Sequence, residues 1–313
     1  MAVGRAEIRA EPLGPLAPGL ARVRTITSGI SRGTESLVFH GRVPQSEWQR
    51  MRAPFQAGDF PFPVKYGYSS IGEVIDGPPA WLGKRVFSLS PHQTLADLPV
   101  SALGEVPGGV PTARAVLAAN METALNAVWD ADVGAGDRVA VIGAGVVGAL
   151  ITRLAARIPG TRVTLVDVNP ARARLAPTLG AAFALPSNCP RDCDAVFHAS
   201  ATAAGLATAL TVAGDEARVI ELSWYGDGEV SVPLGQDFHV RRLQLISSQV
   251  GRIAASRRPR WDFARRRAAA LDLLADDRLD ALLAPPVRFV DLPARLPEIL
   301  APGSGILAQV VVY

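Results

Sequence analysis

The hexad Gly143-Ala144-Gly145-Val146-Val147-Gly148 constrains this chain of 313 residues more than any other stretch. It follows the short apolar run Arg138-Val139-Ala140-Val141-Ile142 and opens a segment, 147–158, whose apolar pattern suits a helix. Gly143 permits a tight turn, Gly145 lets a ligand approach the backbone, and Gly148 lets helix and strand pack closely. The unpaired N–H groups and positive end of such a helix attract a diphosphate. Asp167 ends the next apolar run, roughly twenty residues on, where a carboxylate accepts hydrogen bonds from ribose hydroxyls. A packing turn alone does not explain that acid. The expectation is a dinucleotide along Gly143, Ala144, Gly145, Val146, Val147 and Gly148, with Asp167, Val168 and Arg172 beside it. NAD(H) is preferred over NADP(H), because a carboxylate repels a 2′-phosphate; Arg172 and Arg174 soften that repulsion.

The rest of the pattern places this turn in a larger plan. From residue 138 onward, apolar runs at 138–142, 162–167, 195–198, 218–222 and 243–247 alternate with helical segments at 147–158, 171–179 and 203–212. That rhythm predicts an α/β unit, a doubly wound parallel sheet with helices on both faces. Residues 112–131 read as a helix with Thr112 as N-cap. Before it, short strands at 21–26, 71–75 and 85–89 are separated by Gly and Pro turns, residues 41–62 read as helix and loop, and 104–111 marks a plausible boundary. The tail, with a helix at 263–274 and a strand at 306–313, resembles the first region.

Composition excludes several classes. Hydrophobic residues make up 49% and charged ones 19%, a globular balance rather than a disordered one. The net charge of +3 comes almost wholly from scattered arginines, Lys65 and Lys84 being the only lysines, so no nucleic-acid track is expected. The pair Arg257-Arg258 and the run Arg265-Arg266-Arg267 read as solvated helix faces. Cys189 and Cys193 are too few for a disulfide scaffold or a zinc site and fit a reduced, cytoplasmic setting. No apolar run approaches the ~20 residues that span a bilayer, so no membrane partner is expected.

The chain resembles the medium-chain dehydrogenase/reductase superfamily. The resemblance rests on Ser28-Gly29-Ile30-Ser31-Arg32-Gly33-Thr34-Glu35, Tyr66-Gly67-Tyr68-Ser69-Ser70-Ile71-Gly72-Glu73-Val74, Leu82-Gly83-Lys84-Arg85-Val86, the helix at 120–131 and the glycine turn. It implies a Rossmann domain at 120–250 inserted in a GroES-like β-barrel catalytic domain built from 1–119 and 251–313, with a substrate cleft between them. Zinc members resemble Gly-Ile-Cys-Gly-Thr-Asp where Ser31 and Arg32 stand here, and Gly-His-Glu where this chain has Gly67-Tyr68-Ser69. A later ligand position falls about Asn120, and the four-cysteine loop is missing. The expectation is therefore no zinc and no other metal. The Gly-Ile-Ser-x-Gly-Thr-Glu motif is similar to that of short zinc-free members typified by bacteriochlorophyllide dehydrogenases.

Without a Lewis acid, side-chain donors must stabilise charge on a carbonyl oxygen. Tyr68 takes the place of the lost histidine, as proton donor or as a hydrogen-bonded core tyrosine, and Lys65 lowers its pKa if close. By the resemblance, Thr34 matches a proton-relaying hydroxyl and Arg32 faces the cofactor diphosphate. His92 follows a strand that lines the pocket in relatives and suits acid–base work. Thr123, Ser247, Ser248 and Gln249 lie where relatives contact the nicotinamide, and Ser200 and Ser223 are further cofactor candidates. Glu122 reads as a salt-bridge partner rather than a catalytic acid. The leading expectation is an NAD(H)-dependent alcohol dehydrogenase or ketone reductase acting on a small molecule, as a homodimer. A zinc-free quinone or enone reductase and a nucleotide-binding protein without activity are the alternatives.

Overall fold

Strand and helix alternate from residue 138 to residue 247 in the computed structural model, which describes residues 3–313. The chain divides into two units, one holding residues up to 119, 267–277 and 283–313, the other 120–266 and 278–282.

The second unit is built on a six-stranded sheet in the order Ala182–Ala184, Arg162–Val166, Arg138–Ile142, Cys193–His198, Ala213–Glu221, Gln244–Ser247. Every neighbouring pair is parallel. Parallel pairing needs crossovers, and the helices Val146–Ala155 and Ala203–Val212 provide them. Strands such as Val139-Ala140-Val141-Ile142 are buried on both faces, which is why they read as unbroken apolar runs. Strand order reverses between Arg138–Ile142 and Cys193–His198, and ligands in such sheets bind beyond the strand ends at that reversal.

The first unit carries a seven-stranded sheet, in the order Leu283–Arg288, Ala308–Val312, Leu20–Ile30, Ser70–Asp76, Arg85–Ser88, Gly104–Glu105, with Leu95–Pro99 also paired to Leu20–Ile30. The C-terminal strand pairs antiparallel with Leu20–Ile30, so both chain ends build this sheet. Among the described residues no helix is long and apolar enough to cross a membrane.

Four expectations need correction. Residues 251–266 belong to the second unit: Arg266, 3% exposed, is bound to Glu122 and Asn126, and Trp261 packs on Trp129. The stretch 104–111 is no boundary, because Gly104–Glu105 pairs with Arg85–Ser88. The helix expected at 112–131 is two, Thr112–Ala115 and Ala118–Ala131, and the first has Pro111 rather than Thr112 at its N-cap. The break falls where the Val116 carbonyl accepts the Ser69 hydroxyl instead of extending the helix. Residues 41–62 hold one helical turn, Gln45–Glu47, and the short strand Ala57–Gly58, since Pro44, Pro54, Gly58 and Pro61 interrupt any longer helix. The helix Arg32–Phe39 was not expected as an element at all.

Candidate active site

The glycine turn of the second unit has the geometry its sequence implies. Gly143 sits at φ +109°, and a Cβ there would lie 2.8 Å from the Ser200 nitrogen. A Cβ on Gly148 would meet the Gly143 carbonyl oxygen at 1.9 Å, so only glycine lets helix and strand approach this closely. At Gly145 the space is open. Gly145 is the N-cap of Val146–Ala155, and no side chain caps that helix, so its first N–H groups face outward. Asp167 reaches this turn: its carboxylate accepts from the Ala144 N–H at 2.7 Å and the Asn169 N–H at 2.8 Å. Val168 is 80% exposed, an apolar surface next to that carboxylate. Burial lowers the Arg172 pKa, against the attraction of Asp167.

A second cluster occupies the first unit, around the motif that begins at Ser28. Tyr68 donates its phenolic hydrogen bond to Ser31 Oγ and is also bonded to Thr34. Burial pushes the phenol up to about 12, against those two hydrogen bonds, so Tyr68 keeps its proton at neutral pH. Glu35, buried in the helix Arg32–Phe39, accepts from the Ser31 N–H at 2.8 Å and lies 3.0 Å from His92 Nε2. A carboxylate can only accept, so Glu35 fixes the His92 proton on Nε2. His92 Nδ1 then accepts from the Ser28 hydroxyl at 2.8 Å, and Tyr313 OH lies 2.9 Å from that same oxygen. Gly67, at φ +121°, makes room for the imidazole: a Cβ there would meet His92 Cδ2 at 2.8 Å.

The structure thus gathers Tyr68, Thr34 and His92 into one network and adds Ser28, Ser31, Glu35 and Tyr313. Glu35 was present in the motif but had no assigned part. Its spacing of four from Ser31 across a helix start was the signal that went unread. Tyr313 carried none, since only the pairing of the last strand brings it there.

Other candidates fall elsewhere. Arg32 does not face a diphosphate: its guanidinium donates to the carbonyls of Ile299, Ala301 and Ile306, tying helix start to C-terminal segment. Lys65 pairs with Glu11 and does not act on Tyr68. Ser248 is buried and donates to Asp130, whereas Ser247 and Gln249 are exposed. Thr123 is part-buried on the helix Ala118–Ala131. Glu122 pairs with Arg266 at 3.1 Å, as expected, but Arg266 is no solvated face residue. Cys189 and Cys193 are free, with burial raising their thiols to about 11 and about 12.

Ser200 and Ser223 converge on a residue to which no role was given. His198, fully buried, lies 2.7 Å from Glu221 Oε2 through Nδ1 and 2.7 Å from Ser200 Oγ through Nε2. Ser223 donates its N–H to Glu221 at 2.7 Å, and its hydroxyl accepts from the Ala201 N–H. Tyr225 OH donates to Glu221 at 3.1 Å. Burial would raise the Glu221 carboxyl, yet the hydrogen bond to His198 and the Ser223 bonds hold it below the usual range.

A catalytic zinc needs about three Cys, His or carboxylate ligands. Around Tyr68 stand hydroxyls, one imidazole and one carboxylate, the last two bonded to each other. Among the described residues no three His, Cys, Asp or Glu converge on a point, so these residues do not fit a zinc ion.

No protein-family model matches the chain, and no curated protein matches it in sequence. Solved structures do match it. A protein from Sinorhizobium meliloti assigned as a zinc-binding dehydrogenase, bound to NADP, is 20% identical with a TM-score of 0.79 over 100% of this chain and 97% of that one. The 2R,3R-butanediol dehydrogenase of Bacillus subtilis is 17% identical with a TM-score of 0.77, over 100% and 98%. A short chain alcohol dehydrogenase of Escherichia coli complexed with NADH is 17% identical with a TM-score of 0.79, over 99% and 97%. Over its full length, this chain has the α/β fold of those dehydrogenases.

Proposed function

We propose that this protein is a nicotinamide-dependent oxidoreductase that interconverts a small secondary alcohol and its ketone without a metal. The observation that carries the reading is the uncapped helix start at Gly145, open above the backbone, with Asp167 hydrogen-bonded to the same turn. Those residues suit a dinucleotide: N–H groups for the diphosphate, a carboxylate for the ribose and Val168 for an apolar ring. When bound, the nicotinamide supplies or takes the hydride. Asp167 favours NAD(H) over NADP(H) by repelling a 2′-phosphate. The solved dehydrogenases that share the fold carry NADP in one case and NADH in another, so the fold does not decide between them.

The residues of the first unit handle the proton. Tyr68, protonated at neutral pH, turns its O–H from Ser31 Oγ to a substrate oxygen as negative charge develops there, and the Ser31 hydroxyl then donates to the phenol. Ser31 and Thr34 hold the phenol and pass its proton onward. Glu35 and Ser28 orient His92, which exchanges a proton with this network. The donor set around Tyr68 supports metal independence, because it offers too few zinc ligands. A protonated phenol serves equally the reduction of an activated C=C bond, where it protonates the enolate. A panel of secondary alcohols, ketones and enones followed at the nicotinamide absorbance, with and without chelator, tests the proposal. Turnover of alcohols or ketones unaffected by chelator supports it. Turnover abolished by chelator removes the metal-free claim, and turnover of enones alone moves the reading to C=C reduction.

A further inference from the structure

The polar network at the ends of Cys193–His198 and Ala213–Glu221 has more parts than holding a cofactor requires. His198 and Glu221 are direct partners in the register of the two strands, so their side chains meet at the same sheet end. Glu221 is acceptor-only and places the imidazole proton on Nδ1. His198 Nε2 is then an acceptor, and the group 2.7 Å from it is the Ser200 hydroxyl. The Thr202 hydroxyl accepts from the Gly205 N–H, which turns its own proton toward Ser200 Oγ at 3.0 Å. Ser200 stands on a tight strand-to-helix turn, with Ala201 at φ +53°, just ahead of the helix Ala203–Val212. Serine, imidazole and carboxylate are in hydrogen-bonded series, the imidazole is buried, and the serine is part-exposed. This is the arrangement by which a neutral histidine activates a hydroxyl, recognised by geometry and not by sequence order.

We propose that Ser200, with His198 as base and Glu221 as its orienting group, is an activated nucleophile that takes acyl groups from small esters. Ser200 Oγ bonds to the ester carbonyl carbon while its proton passes to His198 Nε2. The C–O bond to the alcohol breaks, and the departing alkoxide takes that proton. Water, deprotonated by His198, then cleaves the acyl-serine, and the proton returns to Ser200 Oγ. The Ala203 and Ala204 amides, in the first turn of the helix, are the donors for the transient oxyanion. The proposal does not rest on the dinucleotide reading, because none of these steps uses a coenzyme.

The test is covalent labelling of the full chain with a biotinylated fluorophosphonate, followed by peptide mass mapping. The expected result is a phosphonyl adduct on Ser200, together with hydrolysis of 4-nitrophenyl acetate that falls at least a hundredfold in Ser200→Ala. Labelling should slow at least tenfold in Glu221→Gln, with circular dichroism melting confirming that each variant is folded. No adduct on Ser200 in the folded wild-type chain overturns the proposal, and so does a slowing of less than tenfold in folded Glu221→Gln. Mapping on the wild-type chain decides the matter even where a variant fails to fold.

Discussion

Tyr68 and Gly67 show how adjacent residues divide the work of a site. The phenol of Tyr68 titrates only at about 12, so any limb of a pH–rate profile between about 5 and 9 belongs to another group. Tyr68→Phe should lower kcat about a hundredfold or more, leave KM nearly unchanged and keep that limb where it was; steady-state kinetics across pH checks all three. If the limb vanished with the hydroxyl, Tyr68 would be titrating in that range and its role would be different. Gly67→Ala should cost about 1–3 kcal/mol, since alanine at φ +121° is strained and its Cβ collides with His92. Thermal melting together with kcat detects both effects. Asp167→Ser should weaken NADH about tenfold and NADPH less, measured by titration of each coenzyme. Equal loss for both would remove the charge argument, because Asp167 also supports the Ala144 and Asn169 amides.

The first turn of the helix Phe263–Leu273 illustrates what an element owes to a few buried contacts. Arg266 donates to Glu122, Asn126 and the Val250 carbonyl, while Arg265 lies 4.1 Å over the Trp261 ring. Arg266→Ala leaves Glu122 buried without this partner and should destabilise the protein by about 3–5 kcal/mol in urea unfolding. A change under about 1 kcal/mol would mean that water reaches the carboxylate. The sequence shows a basic run here, because nothing in Arg265-Arg266-Arg267 distinguishes the buried member from its neighbours. Parallel strands were easier to read: buried on both faces, they leave runs such as 138–142 that periodicity alone reveals. The helix Arg32–Phe39 stayed hidden because its glycine and its mixed polar face resemble a turn. His198 and Glu221 are 23 residues apart and meet only through strand register, so no local spacing announces them.

At the scale of the whole molecule, the proposed function divides between the two units: we assign the dinucleotide to the unit with the glycine turn and the proton to the unit with Tyr68 and His92. The glycine turn and Asp167 were legible because the chemistry is local and glycine's conformational freedom has no substitute. The hydrogen-bonded network around His92 was legible only in part, since the 28–35 motif, His92 and Tyr313 come from three separated stretches of chain. We further propose that two copies pair through the edge strand Gln244–Ser247, where Leu245 is 37% exposed. Sedimentation at micromolar concentration should give twice the chain mass; a monomer would refute it. The central claim, that a nicotinamide dinucleotide lies over Gly145 beside Asp167, is tested most directly by isothermal titration calorimetry with NADH. Saturable binding at one site per chain, lost in Gly145→Val with the fold intact, is the predicted result; no heat of binding with NADH or NADPH would contradict it.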